Sequence, residues 1–408
     1  MNENTTPRLL TSAVSRSASV MPVVVVTGAR QTGKSTLVRS LLPNTPLYLT
    51  LDDLEIREQA TRRPRDLLAR APRMVLDEVQ RVPELLLAVK AAVDRERIPG
   101  QFILTGSANL LLMSKVSESL AGRAVYLSLW PLVRGEVLNQ QDAGRWPGLF
   151  SYSVDAWPEM IAAGGRGPAD WRDLARTGGY PVPALRLASE ADRAIWFDGY
   201  VRSYLERDLQ DLSAVESLIE FRRLMTAVCH RIGQVANQTE IGRDLQLPQP
   251  TVRRWLNLLE ASYQLIRLPA YAVNRTKRLI KSPKLYWSDA GLALHLARGT
   301  EPSGAHLETL VLMDLVAWRD ALVSHRPNLH YWRTNDGAEV DFVIEQGQEL
   351  VGIEVKATTR PTNDDARHLF TFRDEYGPAV RGCLLLHDGD RVEWLGERVL
   401  AAPWWSVM

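Results

Sequence analysis

Nine consecutive residues, Gly28-Ala29-Arg30-Gln31-Thr32-Gly33-Lys34-Ser35-Thr36, spell GxxxxGK[ST] between the β-branched run Val23–Val26 and an apolar-spaced stretch from Leu37 to Leu42. This pattern predicts a strand, a phosphate-cradling loop and a helix. Glycines let the backbone curl so that its N–H groups face a β-phosphate, and the following helix adds its positive N-terminus. Lys34 is expected to bridge the β- and γ-phosphates of ATP, and the Ser35 hydroxyl to hold Mg²⁺. Ala29, Arg30, Gln31, Thr32 and Thr36 complete the expected nucleotide-binding loop. Met74-Val75-Leu76 delivers Asp77 and Glu78 at its C-terminal end, where open α/β sheets bind ligands. Asp77 is expected to reach Mg²⁺ through water, and Glu78 to polarise the attacking water. Phe102-Ile103-Leu104 leads into Thr105, Ser107 and Asn109, each with a short polar group suited to sensing a γ-phosphate. Arg123 is expected to be an arginine finger given to a neighbouring subunit, worth ~10³–10⁵ in rate. A structural salt bridge is its alternative role, and Arg134 is the second choice.

A second constellation lies near the other end. Glu339-Val340-Asp341-Phe342-Val343-Ile344 alternates, which predicts a strand with Glu339 and Asp341 on one face. After a turn at Gln346-Gly347-Gln348, Glu354 and Lys356 share a face of the partner strand. Clustered carboxylates beside an apolar core are costly unless a cation offsets them, and a divalent metal is the expected occupant. The spacing, one acid, a hairpin, then Glu-x-Lys, resembles the PD-(D/E)xK nuclease fold. The resemblance implies that Asp341 and Glu354 hold Mg²⁺ and that Lys356 orients or deprotonates water. It also implies that Glu308, on the unit's first helix, completes the metal set, with Arg333 and Glu339 as accessory residues.

Between these sites, Thr239–Leu245 and Pro250–Glu260 predict two short helices joined by a tight turn, the first capped by Thr239 or Asn237. Val252, Trp255, Leu256, Leu258 and Leu259 fall on one face of the second, leaving Arg253, Arg254 and Asn257 outside. Two strands, Leu265–Leu268 and Lys284–Trp287, are expected to flank a wing. Arg267, Arg275, Lys277, Arg278, Lys281 and Lys284 occur over the wing with no intervening acid. If all six met DNA phosphates, the slope of log affinity against log salt would approach about −5. A purely structural winged helix with a solvated basic loop is the alternative.

The elements that must position these groups follow from patterning. The first ~130 residues alternate strand and helix, as in a doubly wound α/β domain. Residues 139–168 turn rich in Gly, Pro, Trp and Asp, and Gly299–Gly304 reads as a linker. The 408 residues carry 49 basic and 48 acidic side chains, so no whole-molecule field selects nucleic acid and any such contact must be local. An apolar share of 45% excludes a mainly disordered or fibrous chain. Cys229 and Cys383 lack disulfide or zinc spacing. No apolar run could span a bilayer and the start lacks a signal-peptide pattern, so a cytoplasmic location is expected.

Residues 21–36, 73–80, 102–109 and 119–136 resemble the bacterial and archaeal AAA-type ATPases that carry a C-terminal domain of unknown function. The resemblance continues through Gly178-Gly179-Tyr180-Pro181, Tyr204-Leu205-Glu206-Arg207-Asp208 and Lys284-Leu285-Tyr286-Trp287-Ser288-Asp289-Ala290-Gly291. Together the readings predict an α/β protein: a P-loop ATPase domain over 1–138, a helical lid over 139–212, a winged helix over 213–298 and a nuclease-like α/β domain over 299–408. The expected function is ATP-driven DNA processing, on branched or junction DNA, by a ring-shaped homo-oligomer. The alternatives are a nucleotide-dependent regulatory or defence switch and a DNA motor, either of which binds without cutting.

Overall fold

Val23–Thr27 forms β1, and its unbroken apolar run is buried on both faces, as a central parallel strand requires. Around it stand β2 (Leu47–Thr50), β3 (Met74–Asp77), β4 (Phe102–Thr105) and β5 (Ala124–Ser128), in the order β2-β3-β4-β1-β5. Every pairing in this sheet is parallel, so the strand ends that carry the predicted chemistry emerge on one side. The computed structural model describes residues 6–41, 47–106, 120–163, 166–205, 217–272 and 282–408. Ser107 and Asn109 lie outside the described residues, as do Arg275, Lys277, Arg278 and Lys281, which were expected in a wing.

The helix pair forms as its spacing predicts. Asn237 caps the first helix, Gln238–Leu245, its side chain accepting from Glu240 N at 3.1 Å. The second, Gln249–Ala261, starts with a proline inside its first turn, where a missing N–H costs nothing. Its five apolar residues from Val252 to Leu259 are buried and Arg253, Arg254 and Asn257 are exposed. Strands β6 (Leu265–Leu268) and β7 (Lys284–Trp287) pair antiparallel behind it.

The last unit is a mixed six-stranded sheet, ordered β12-β13-β11-β10-β9-β8. Its strands are β8 (Asn328–Arg333), β9 (Glu339–Gln346), β10 (Glu349–Lys356), β11 (Val380–His387), β12 (Glu393–Gly396) and β13 (Val399–Pro403). The helix Gly304–Ala321 and the helix Arg367–Tyr376 pack against it, and β9 and β10 are buried along nearly their whole lengths. The alternation predicted one apolar and one polar face; instead both faces are covered, so the acids on these strands are buried too.

The region expected as a lid or helical connector shares its core with the two units after it. Trp146, Trp157 and Trp171 pack in one apolar cluster with Trp255 and Trp287 of the winged helix and with Phe342, Ile353 and Trp404 of the last unit. The ATPase sheet keeps its own cores on its two faces. Among the described residues, no helix is long and apolar enough to cross a membrane. Because Phe342 is fully buried between sheet and helices, Phe342→Ala should cost about 3–5 kcal/mol. A lower urea midpoint followed by tryptophan fluorescence measures that loss, and an unchanged midpoint would contradict the packing described.

Candidate functional site

The loop after β1 requires glycine in two places. Gly28 has φ +143°, and a Cβ there would lie 2.2 Å from the Leu129 carbonyl oxygen; Gly33, at φ +92°, starts the helix Lys34–Ser40. Lys34 is buried, and its ammonium donates to the carbonyls of Gly28 at 3.1 Å and Ala29 at 2.7 Å, closing the loop on itself. Burial pulls its pKa down to about 8, against the nearby charges of Glu78 and Asp77. Ser35 Oγ donates to Asp77 Oδ1 at 3.1 Å. A hydroxyl and a carboxylate meeting beside a phosphate loop fit a hydrated Mg²⁺ bound with ATP, which would neutralise charge on the transferred phosphoryl group. Of the candidates after β4, Thr105 is described, and its hydroxyl also donates to Asp77. Glu78 sits at φ +57°, a left-handed conformation that a glutamate holds only when its surroundings fix it, and Gln80 donates to its carboxylate.

Residues that the motifs did not disclose surround this loop. Tyr48 of β2 donates to Asp77. Arg8 donates to the Thr32 carbonyl at 2.7 Å and the Trp130 carbonyl at 2.6 Å, and pairs with Glu136 at 3.1 Å. Tyr263, just past the second helix of the pair, shares a 2.7 Å hydrogen bond with Thr27 Oγ1 and packs beside Ala29 and Trp130. A lone Tyr or Arg outside a motif carries no spacing signal that would mark it.

Two arginines stand elsewhere than expected. Arg123 lies by the start of β1, its carbonyl accepting from Val23 N at 3.3 Å, at the opposite end of the sheet from the phosphate loop. Its guanidinium pairs with Asp94, Nε–Oδ1 2.5 Å and Nη2–Oδ2 3.0 Å, which is the salt bridge weighed against a finger. Arg134 is buried, donates to the carbonyls of Trp405, Arg166 and Gly167, and lies over the Trp404 ring. Its second-choice role as a finger is therefore corrected: it fastens the first unit to the last.

The helix pair leaves Arg253 exposed beside a polar groove lined by Gln238, Gln249, Pro250, Asn257 and Arg267. Arg267 is tied to Glu260 and to Asn257 Oδ1 at 2.7 Å, so its charge is already partly answered. Lys284 corrects the sequence reading outright. It is 1% exposed and cannot touch a DNA backbone.

Lys284 instead enters the acidic cluster. Its ammonium lies 3.0 Å from Asp341 Oδ1 and 2.5 Å from Glu339 Oε1, and 5.8 Å from the centre of the Tyr331 ring. The β9–β10 ladder stops at Phe342–Ile353, and beyond it Asp341 Oδ2 accepts from Val355 N at 3.0 Å. Glu354, 4% exposed, accepts from Lys356 at 2.6 Å through Oε1, while its buried Oε2 has no hydrogen-bond partner among the described residues. Glu308 accepts from Tyr286 at 2.8 Å. Burial and then the Asp341 charge push the pKa of both Glu308 and Glu354 up. Burial would lower that of Lys284, but the charges of Asp341, Glu308 and Glu339 outweigh it and hold the ammonium protonated.

This arrangement corrects the metal set of Glu308, Asp341 and Glu354. Among the described residues, no three His, Cys, Asp or Glu side chains converge as ligands for an ion. Both Asp341 oxygens are already engaged, one by an ammonium, so the set does not fit a divalent cation in this conformation. At the other site, Lys34→Ala should lower ATP turnover by about 100-fold or more. Phosphate release by purified protein checks this, and near-normal turnover would exclude the loop as the hydrolytic site.

Three family models match parts of the chain. Residues 21–138 match the family model described as AAA domain, residues 168–303 a domain of unknown function (DUF8612), and residues 303–407 a domain of unknown function (DUF4143). Uncharacterized proteins of Mycobacterium tuberculosis and Mycobacterium bovis are each 34% identical over 353 residues, covering 84% of this chain and 71% of theirs. An uncharacterized protein of Haemophilus influenzae is 20% identical over 377 residues, covering 87% of each chain. A Walker-type ATPase of Pyrococcus abyssi aligns at a TM-score of 0.44 and 16% identity, covering 70% of this chain and 94% of that one. By the relatives it matches and the domains it carries, the chain belongs to the family of AAA-type ATPases with a C-terminal DUF4143 domain.

Proposed function

We propose that this ATPase is a DNA-processing protein, in which nucleotide turnover drives a winged helix that holds the duplex backbone. The observation that carries this reading is the second helix of the pair. It buries five apolar residues and turns Arg253 and Arg254 to solvent, Arg253 lining a polar groove. Phosphate contacts of that kind position a protein on DNA without reading sequence, which suits binding by structure, branched DNA included. A ring of identical subunits remains the proposed assembly.

Cutting by the last unit belongs to the same proposal only in a conformation in which Lys284 has left Asp341, since the pair as it stands does not admit a divalent ion. Its support is the set Asp341, Glu354 and Lys356 gathered at the end of one hairpin, where Glu354 Oε2 has no hydrogen-bond partner among the described residues. The ion pair of Lys284 with Asp341 favours the second reading, a nucleotide-dependent switch or motor whose last unit binds without cutting.

Arg253→Ala with Arg254→Ala should shrink the salt slope of DNA binding by about 2, since each phosphate contact contributes about 0.9. Fluorescence anisotropy across a salt series reads this, and an unaltered slope would remove the helix from the DNA interface. Asp341→Ala should spare ATP turnover while abolishing scission of duplex, flap, single-stranded and four-way DNAs in Mg²⁺. Scission by wild type that survives Asp341→Ala would place it elsewhere, and no scission of any substrate by wild type would select the switch.

A further inference from the structure

The acidic cluster is built from two units of the fold. Asp341, Glu339 and Glu354 come from β9 and β10, and Glu308 from the helix Gly304–Ala321. The groups that answer them, Lys284 and Tyr286, come from alternate positions of β7, the second strand of the winged helix. Sharing one side of a strand, these two polar tips enter the cluster together. Backbone pairing holds them there: Tyr331 N donates to Pro269 O at 3.0 Å and Tyr271 N to Tyr331 O at 2.6 Å, running the wing sheet on into β8. Gly233, at φ +75°, lets the chain beside β7 pass so close that a Cβ would lie 2.9 Å from Glu308 Oε2.

We infer that Lys284 is the resident cation of this cluster, and that its ammonium and a divalent ion are mutually exclusive occupants of the place beside Asp341. This deepens the nuclease-like reading of the same site and rests on it only for what the opened cluster does. The physical reason is the short spacing. A divalent ion bound to Asp341 Oδ1 would stand within about one ligand shell of a fixed positive charge already 3.0 Å from that oxygen. Like charges so placed in a buried site repel by several kcal/mol. Metal entry therefore requires Lys284, 1% exposed on β7, to withdraw from Asp341. The residue that must withdraw belongs to the winged helix, not to the unit that carries the acids.

The test measures Mn²⁺ binding without nucleotide, by the electron-spin-resonance signal of free Mn²⁺, on the full chain. Wild type is compared with Lys284→Met, Lys284→Gln and Lys284→Met combined with Asp341→Asn. Lys284→Met and Lys284→Gln should gain one site about 100-fold tighter than anything in wild type, and adding Asp341→Asn should abolish it. If the Lys284 variants do not fold alone, the same inference requires Mn²⁺ to restore their folding, and its failure to do so overturns the inference. A wild-type site of equal affinity, lost on Asp341→Asn, also overturns it, because lysine and metal would then coexist. DNA cleavage is scored on the same samples. A Lys284 variant that takes up Mn²⁺ but cuts nothing leaves the inference standing and removes the nuclease reading; wild type that cuts while binding Mn²⁺ as tightly as the variants does the reverse.

Discussion

A charge taken out of water must meet an opposite charge, and the Lys284–Asp341 contact is where that rule governs this protein. Four carboxylates, Glu308, Glu339, Asp341 and Glu354, crowd the end of a sheet covered on both faces. Removing one member of such a set leaves an uncompensated buried charge, which typically costs about 3–5 kcal/mol. Lys284 and Lys356 together answer part of the negative charge, and Tyr286 supplies a hydrogen bond to Glu308. The winged helix and the last unit are thus held together by polar pairing as well as by the apolar core they share.

The nucleotide site obeys a different constraint, the shape of its backbone. Gly28 passes so near Leu129 that no side chain fits, and Gly33 opens the helix in a left-handed conformation. The rest of the pocket is supported from outside the motif. Arg8 ties down the Thr32 carbonyl, Tyr200 donates to the Arg30 carbonyl at 3.4 Å, and Tyr48 and Thr105 converge with Ser35 on Asp77. Asp77 is consequently oriented by three hydroxyls before any ion arrives.

Much of this was legible in the sequence because it depends on local order. The phosphate loop, the strand that ends in Asp77 and Glu78, the helix pair and the Glu354-x-Lys356 hairpin each rest on neighbouring residues. Lys284 was misread for a definable reason. A lysine alternating with apolar residues in a strand has the same pattern whether its head meets water or a buried acid, and the basic residues just before it suggested water. What decides the matter is the contact of β7 with β9, made by segments far apart in the chain and joined through Tyr331. The arginines fail in the same way, since nothing near Arg134 announces Trp404. The breadth of the core was also hidden, because tryptophans in a Gly- and Pro-rich stretch look like a linker until their partners are known.

The hydrogen bond between Tyr263 and Thr27 joins residues separated by 236 positions in the chain. Thr27 is the last residue of the strand that feeds the phosphate loop, and Tyr263 comes directly after the helix that bears Arg253 and Arg254. The bond is buried, and each hydroxyl has a second, longer contact, Thr27 to the Leu127 carbonyl at 3.4 Å and Tyr263 from the Ser128 hydroxyl at 3.3 Å. The base of the phosphate loop and the foot of that arginine-bearing helix are therefore tied by a direct buried contact.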